Sequence, residues 1–336
     1  MFSKEERKIF IRPEEELRIL QLTDMQVIDA SQRRRPDRLS SPEIERWAPE
    51  NAEMNCYSHI KDLITQTSPH LIIITGDIVY GEFDDSGRVF REFTEFMDSF
   101  GIPWAPVWGN HDLESAAGID YAVKTFEGAK NCLFTTETED IADGTGNYAV
   151  RIYKGEKLYR VVYMLDSHGC KHAYDESARI PKSVTEGQMR MIERISGECE
   201  AEAGETVPAI AAWHIPTAEF FEAYEALGYE NKMGTKIGVT VKAHKGDFGV
   251  IMENASAPST RPENFLERLK NCRVVGVFVG HHHNINTSVF WQGIRWTMGL
   301  KTGTYDYHIN GALGGTLITF NGNEVVVRHI PTLIGY

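Results

Sequence analysis

Leu71-Ile72-Ile73-Ile74-Thr75-Gly76-Asp77 decides how this chain is read. Its apolar run has no polar face, so it fits a strand covered on both sides. Directly after it stands a carboxylate. Four further hydrophobic runs end in the same kind of chemistry: Ile19-Leu20-Gln21-Leu22-Thr23 before Asp24, Trp104–Trp108 before Asn110-His111-Asp112, Val207–Trp213 before His214, and Val274–Val279 before Gly280-His281-His282-His283. In open α/β sheets, ligand groups gather just past the carboxyl ends of strands, where the loops converge. Carboxylates, an amide and imidazoles in that position point to metal ions. A phosphate ester is anionic, and water attacks it slowly unless cations neutralise it and hold the attacking oxygen as hydroxide. The order of these groups therefore predicts a two-metal phosphoesterase.

Working outward, Leu17–Thr23 and Leu71–Thr75 flank a segment, Ala52–Thr67, with helical spacing at Met54, Ile60, Leu63 and Ile64. That makes a βαβ unit. A helix is expected over Ser86–Phe100, ended by Gly101, and a strand over Trp104–Trp108. Tyr148–Ile152 and Tyr159–Leu165 read as a hairpin, followed by a helix over Thr185–Ala201 capped by Thr185 and a strand over Val207–Trp213. The glycine-rich, poorly periodic stretch 228–262 reads as an active-site insertion. Beyond it come a helix at Pro262–Leu269 and strands at Val274–Val279, Ile294–Met298, Thr316–Phe320 and Glu324–His329. The late strands lack intervening helices, which predicts antiparallel pairing. The expected fold is α/β: two face-to-face mixed β-sheets flanked by helices, a four-layer α/β/β/α sandwich, with residues 1–336 as a single domain.

Bulk properties agree with a globular protein. Of 336 residues, 42% are hydrophobic and 25% charged, with no apolar stretch of 18 residues to span a bilayer. A formal charge of −13 repels nucleic acid, which is not expected as a partner. The one basic run, Arg33-Arg34-Arg35, reads as a solvated loop, with a substrate-phosphate contact as the alternative because it lies shortly after Asp24. Five cysteines, odd in number and without a C-x-x-C pair, argue against a disulfide framework or zinc knuckle. Met1–Lys8 has no apolar core of a secretory signal, so the expected location is cytoplasmic.

Gly76-Asp77, Gly109-Asn110-His111-Asp112, His214-Ile215-Pro216 and Gly280-His281-His282-His283 occur in the order found in the calcineurin-like metallophosphoesterase superfamily, which the chain resembles from Asp24 to His283. The resemblance implies two metals about 4 Å apart, bridged by Asp77. Asn110, His214 and His281 would complete the second ion, and Asp24 and His283 would serve the first. His111 would protonate the leaving-group oxygen, its tautomer fixed by Asp112.

One position departs from the pattern. The family writes its first motif as D-x-H, whereas this chain reads Asp24-Met25-Gln26. Either Gln26 ligates through its carbonyl oxygen or faces the phosphate, or Tyr80 takes the place. Asp77-Ile78-Val79-Tyr80 resembles the G-D-x-x-Y element of purple acid phosphatases, whose tyrosine ligates ferric iron. The implied cofactors are two metal ions, iron with zinc, manganese or a second iron. The expected substrate is a small phosphate monoester, with a cyclic-nucleotide or other small phosphodiesterase as the alternative. A catalytically weak metal-binding regulatory protein is the reading from another class. Two secondary candidates remain. His168 reads as a loop histidine bonding locally, and Lys301-Thr302-Gly303-Thr304-Tyr305 as a possible substrate contact without the frame of a P-loop.

Overall fold

The computed structural model describes residues 1–29, 31, 49–137, 143–169, 183–229, 238–242, 244, 246–253, 257–258 and 260–333, side chains 49–54 excepted. The Arg33–Arg35 run, Cys170 and residues 230–237 of the expected insertion lie outside them. In chain order the elements are β1 (Phe2–Ser3), β2 (Lys8–Ile11), β3 (Ile19–Leu22), α1 (Pro49–Thr67), β4 (Leu71–Thr75), α2 (Arg88–Asp98), β5 (Trp104–Val107) and α3 (Ile119–Gly128). Then follow β6 (Tyr148–Lys154), β7 (Lys157–Met164), α4 (Glu186–Ala203), β8 (Ala209–Ala212), α5 (Ala218–Ala226), β9 (Val239–Thr240) and β10 (Val250–Ile251). The last are α6 (Phe265–Asn271), β11 (Val274–Val279), β12 (Ser288–Trp291), β13 (Ile294–Met298), β14 (Gly314–Asn321) and β15 (Glu324–Pro331).

Apolar runs without polar faces need cover on both sides, and these strands have it. A five-stranded sheet, β15-β14-β3-β4-β5, carries β3, β4 and β5 in parallel, with Leu22 opposite Ile74 and Thr75 opposite Val107. An eight-stranded sheet, β1-β2-β6-β7-β8-β11-β13-β12, holds β7, β8, β11 and β13 in parallel. Side chains alternate across its strands. Ile210 and Ala212 of β8 and Phe278 of β11 join a core shared with Leu20, Ile72, Trp104 and Ile318 of the other sheet. Ala209, Ala211 and Val277 face the opposite way, into a second core with Met189 and Ile192 of α4 and Phe265 of α6. On the far side of the five-stranded sheet, Ile60 and Leu63 of α1 and Phe93 and Met97 of α2 complete the first core. The result is a mixed α/β sandwich of two sheets between helices, as the sequence predicts.

Polar ties cross between the sheets where the core meets the loops. The Tyr148 hydroxyl donates to the Pro106 carbonyl at 2.7 Å, and the Gln21 amide donates to the Val279 carbonyl at 3.0 Å.

The late strands depart from expectation in one respect. β12 pairs with β13, and β14 with β15, in antiparallel fashion, but β13 runs parallel to β11. The chain leaves β11, returns as β12, and reverses again through Gln292 and Gly293, both left-handed at φ 53° and 85°. Two reversals restore the direction of β11 without a helix. The expected helix from Pro262 starts later, at Phe265, because Asn264 is left-handed at φ 52°. The expectations omit β1, β2, α3, α5, β9, β10 and β12. Among the described residues, no helix is long and apolar enough to cross a membrane.

Helix α4 has the start its sequence predicts. The Thr185 hydroxyl accepts from the Gln188 backbone N–H, and the Gln188 side chain accepts from the Thr185 N–H, a reciprocal capping box. Thr185→Ala should lower the unfolding free energy by about 1 kcal/mol. An unshifted urea midpoint would show that the cap contributes nothing.

Candidate metal centre

Parallel strands in register end together, and here five of them end at one edge. β3, β4 and β5 deliver Asp24, Asp77 and Asn110, while β8 and β11 deliver His214 and His281 from the facing sheet. The loops touch backbone to backbone. A Cβ on Gly109 would lie 2.2 Å from the Asp77 nitrogen, and one on Gly280 would lie 2.0 Å from the Thr23 hydroxyl. Glycine alone fits such approaches. Asp24, Gln26, Asp77 and His281 are all left-handed, at φ 51°, 47°, 52° and 75°. Backbone strain of this kind clusters where a fold holds side chains for function.

Single ligand atoms of buried Asp24, Asp77 and His214 all lie within 4.8 Å of one another. His214 Nε2 stands 3.4 Å from Asp77 Oδ2 and 3.1 Å from Asn110 Oδ1. His283 Nε2 stands 3.4 Å from Asp24 Oδ1. The opposite ring nitrogens are already committed: His214 Nδ1–H donates to the Thr75 carbonyl at 2.7 Å, and His283 Nδ1–H to the Tyr307 carbonyl at 3.1 Å. That arrangement leaves each Nε2 facing the carboxylates, the nitrogen that metal-ligating imidazoles present. His214 Nε2 faces Asp77 Oδ2 and Asn110 Oδ1 together, and two oxygen acceptors on one nitrogen call for a cation, a proton or a metal, among them. The donor set fits metal ions.

The His281 ring lies 5.1 Å from that of His214, and its backbone N–H donates to both oxygens of Asp24. His282 points elsewhere, its Nδ1 3.0 Å from Glu253 Oε1, which brings the segment after β10 to the edge of the site.

Charge follows the same geometry. Burial opposes ionisation of Asp24, but a hydrogen bond from His283 and the nearby His214 hold it at about 2. Asp77 is likewise held low against burial by His214 and His111. Burial works against a charged His214, yet Asp77 raises it to about 9. His281 is pushed well down, by burial and then by His214. The metal-free centre therefore keeps anionic carboxylates compensated by protonated imidazole, the proton a metal would displace.

The residues around His111 differ from expectation. The Asp112 carboxylate does not reach its ring. It accepts instead from four backbone N–H groups, those of Asp77, Ile78, Val79 and Gly109, at 2.7–3.0 Å. Asp112 thus ties the loop after β4 to the loop after β5. Burial and the Asp77 charge push its pKa up to about 7, against the pull of those donors. Glu114 takes the place expected of Asp112, its Oε2 2.7 Å from His111 Nδ1. The tight 3-10 turn over Asp112–Glu114 turns Glu114 back to the ring three residues earlier. Burial lowers the His111 pKa, but Asp77 and Glu114 raise it overall.

Tyr80 is buried and its ring stacks on that of His111, centroids 4.2 Å apart. Gln26 is buried, and its carbonyl oxygen accepts from the Lys301 ammonium at 2.6 Å. Lys301 is therefore no surface substrate contact: it is 2% exposed and also donates to the Asp24 carbonyl at 2.8 Å. His168 bonds locally, its ring with the Ser183 carbonyl and its N–H with Asp166. Glu114, Glu253 and the inward turn of Lys301 were not legible in the sequence; only the i,i+3 spacing of His111 and Glu114 offered a signal.

Two packed mixed sheets between helices, with buried carboxylates and imidazoles converging past their strand ends, define a metallophosphoesterase architecture. Residues 17–284 match the model of the family described as calcineurin-like phosphoesterase, and the chain belongs to that family. A relative from Arabidopsis thaliana, "Probable inactive purple acid phosphatase 29", is 26% identical over 92% of this chain and 76% of its own length. "Phosphatase DCR2" from Saccharomyces cerevisiae is 25% identical over 69% of this chain and 39% of its own. A solved structure described as a dimetal phosphatase from Danio rerio shares the fold, with TM-score 0.56 and 11% identity over 95% of this chain and 98% of that one.

If Glu114 holds a proton on His111, Glu114→Gln should lower the His111 pKa in the metal-free protein, so the ring loses its proton at lower pH. NMR titration of the His111 ring would read this, and an unmoved titration would exclude the pairing.

Proposed function

We propose that this protein hydrolyses a small phosphate monoester with two metal ions. The observation that carries the proposal is the convergence of Asp24, Asp77 and His214 within 4.8 Å, with the Nε2 atoms of His214 and His283 facing the carboxylates. On this reading Asp77 would serve both ions, Asn110, His214 and His281 would hold the second, and Asp24 and His283 would hold the first. When bound, the ions would neutralise the phosphate and activate water. The protein's own groups do the rest. Asp77 is steadied by the His111 backbone N–H, which donates to its Oδ1 at 2.9 Å. His111, protonated opposite Glu114, supplies a proton from Nε2 to the departing oxygen. Asp112 acts by holding the loops that present Asp77 and Asn110.

Iron as one of the ions, with zinc, manganese or a second iron as the other, rests on Tyr80 as a phenolate ligand. Its position after β4, stacked on His111, supports that reading. We read residues 1–336 as a single domain with 228–262 inserted at the site's edge, where Glu253 meets His282. Free buried thiols at Cys56, Cys132, Cys199 and Cys272 suit the cytoplasm. The net charge of −13 favours a small ester over nucleic acid.

A second reading, metal binding with little or no turnover, draws on the word "inactive" in the Arabidopsis relative's name. A cyclic-nucleotide or other small phosphodiesterase is the alternative among enzymes. Turnover of p-nitrophenyl phosphate, bis-p-nitrophenyl phosphate and cyclic AMP separates all three. The monoester should be fastest; faster diester turnover selects the phosphodiesterase, and metal binding without turnover selects the regulatory protein.

Asp77→Asn should abolish both metal binding and turnover. His111→Ala should keep the metals and lose on the order of 100-fold or more in kcat; an unchanged kcat would remove His111 from the chemistry. For Tyr80, iron-loaded protein should show a visible phenolate-to-iron absorption band that Tyr80→Phe abolishes, and a colourless ferric form would exclude it as a ligand.

A further inference from the structure

We propose that Lys301 withholds Gln26 from the metal centre and makes the first metal position the weaker of the two. This rests on the two-metal reading above. The Lys301 ammonium donates to Gln26 Oε1 at 2.6 Å and to the Asp24 backbone carbonyl at 2.8 Å, and both side chains are buried. An ammonium has donors and no lone pair, so it dictates which end of the Gln26 amide faces it. The oxygen turns to Lys301. The nitrogen turns away, buried and without a hydrogen-bond partner among the described residues. An orphaned buried donor is unfavourable, so its presence shows that Lys301 sets the orientation. Gln26 then offers a metal nothing: its oxygen is engaged by a cation, and its amide nitrogen has no lone pair to give.

The backbone that carries Lys301 is tied to the strand end that carries Asp24 and Gln26. The Thr302 N–H donates to the Thr23 carbonyl at 2.9 Å, the Thr23 N–H to the Thr302 hydroxyl at 3.2 Å, and the Gly303 N–H to the Asp24 carbonyl at 3.3 Å. A Cβ on Gly303 would lie 1.9 Å from the Met25 carbonyl, so the two segments are in contact along their backbones. The Gly314 N–H fixes the carbonyl of Lys301 itself from the other side at 2.9 Å.

The consequence is asymmetry. The second position keeps Asp77, Asn110, His214 and His281. For a divalent ion the first keeps Asp24, His283 and the shared Asp77, since the Tyr80 phenolate favours a trivalent ion, and it has the Lys301 ammonium beside Asp24. Fewer ligands and a neighbouring cation both weaken binding of a divalent ion.

Calorimetric titration of the metal-free protein with manganese(II) alone, checked by elemental analysis after dialysis, tests this without any turnover. Wild type should bind one ion tightly and a second at least tenfold more weakly. Lys301→Met should tighten the weak step tenfold or more and leave the tight step unchanged; Lys301→Arg, which keeps the charge, should not. Gln26→Met should leave both steps as in wild type. Two equal steps in wild type, or a folded Lys301→Met with an unmoved weak step, would overturn the inference while leaving the two-metal reading intact. Loss of the weak step in Gln26→Met would overturn it too, by showing that Gln26 ligates, and this variant serves if Lys301→Met does not fold. Absence of a second ion in wild type and Lys301→Met alike would overturn the two-metal reading itself.

Discussion

The carboxylate of Asp112 is the tie on which the centre depends. It takes hydrogen bonds from Asp77, Ile78, Val79 and Gly109, and so joins the turn after β4 to the turn after β5. Without such an acceptor, four buried N–H groups would stand unpaired, each unfavourable by about 1–3 kcal/mol. The turns need that hold because Asp77 is left-handed and Gly109 lies almost against it. Asp77 in turn places the carboxylate that His214 faces and that the His111 N–H steadies. One buried acid thus sets the positions of Asp77, Asn110 and His111 together, through the loops that carry them.

This explains which parts of the molecule could be read from letters. Strands covered on both faces must be apolar throughout, so β3, β4, β5 and β11 stood out as runs, and the polar residue ending each run marked the edge where function gathers. Such features depend only on neighbours along the chain. β1 has two residues and β9 two, too few for any period to show. The parallel course of β13 depended on two successive reversals, of which Gln292 gives no sequence sign, since left-handed glutamine is rare.

The site divides the same way. Residue types and order named Asp24, Asp77, Asn110, His111, His214, His281 and His283, and the fold brings them to one edge. What each neighbour does to them was hidden. Asp112 and Glu114 are both acids close behind His111, and sequence cannot tell which turns back to the ring and which turns down to the backbone. The tight turn over Asp112–Glu114 decides it. Lys301 lies 275 positions from Gln26, and backbone ties between the Thr23–Met25 and Thr302–Gly303 segments bring the two together.

Lys301 also bears on why glutamine suits position 26, where the D-x-H pattern that the resemblance implies would put histidine. An imidazole at position 26 would present either a donor or a single lone pair to Lys301, and a ring nitrogen bonded to the ammonium could not also hold a metal. A carbonyl oxygen accepts the ammonium readily and leaves the amide neutral. Burying Lys301 among acids, with an amide oxygen at its tip, supplies positive charge to the Asp24 side of the centre through the chain itself, although burial lowers the Lys301 pKa. The acids near Lys301 are Asp24, Asp306 and Asp77, so that charge answers the same carboxylates a metal would. A centre compensated in part by its own lysine needs less from a bound ion at that position, and the two metal positions of a nominally symmetric site become unequal.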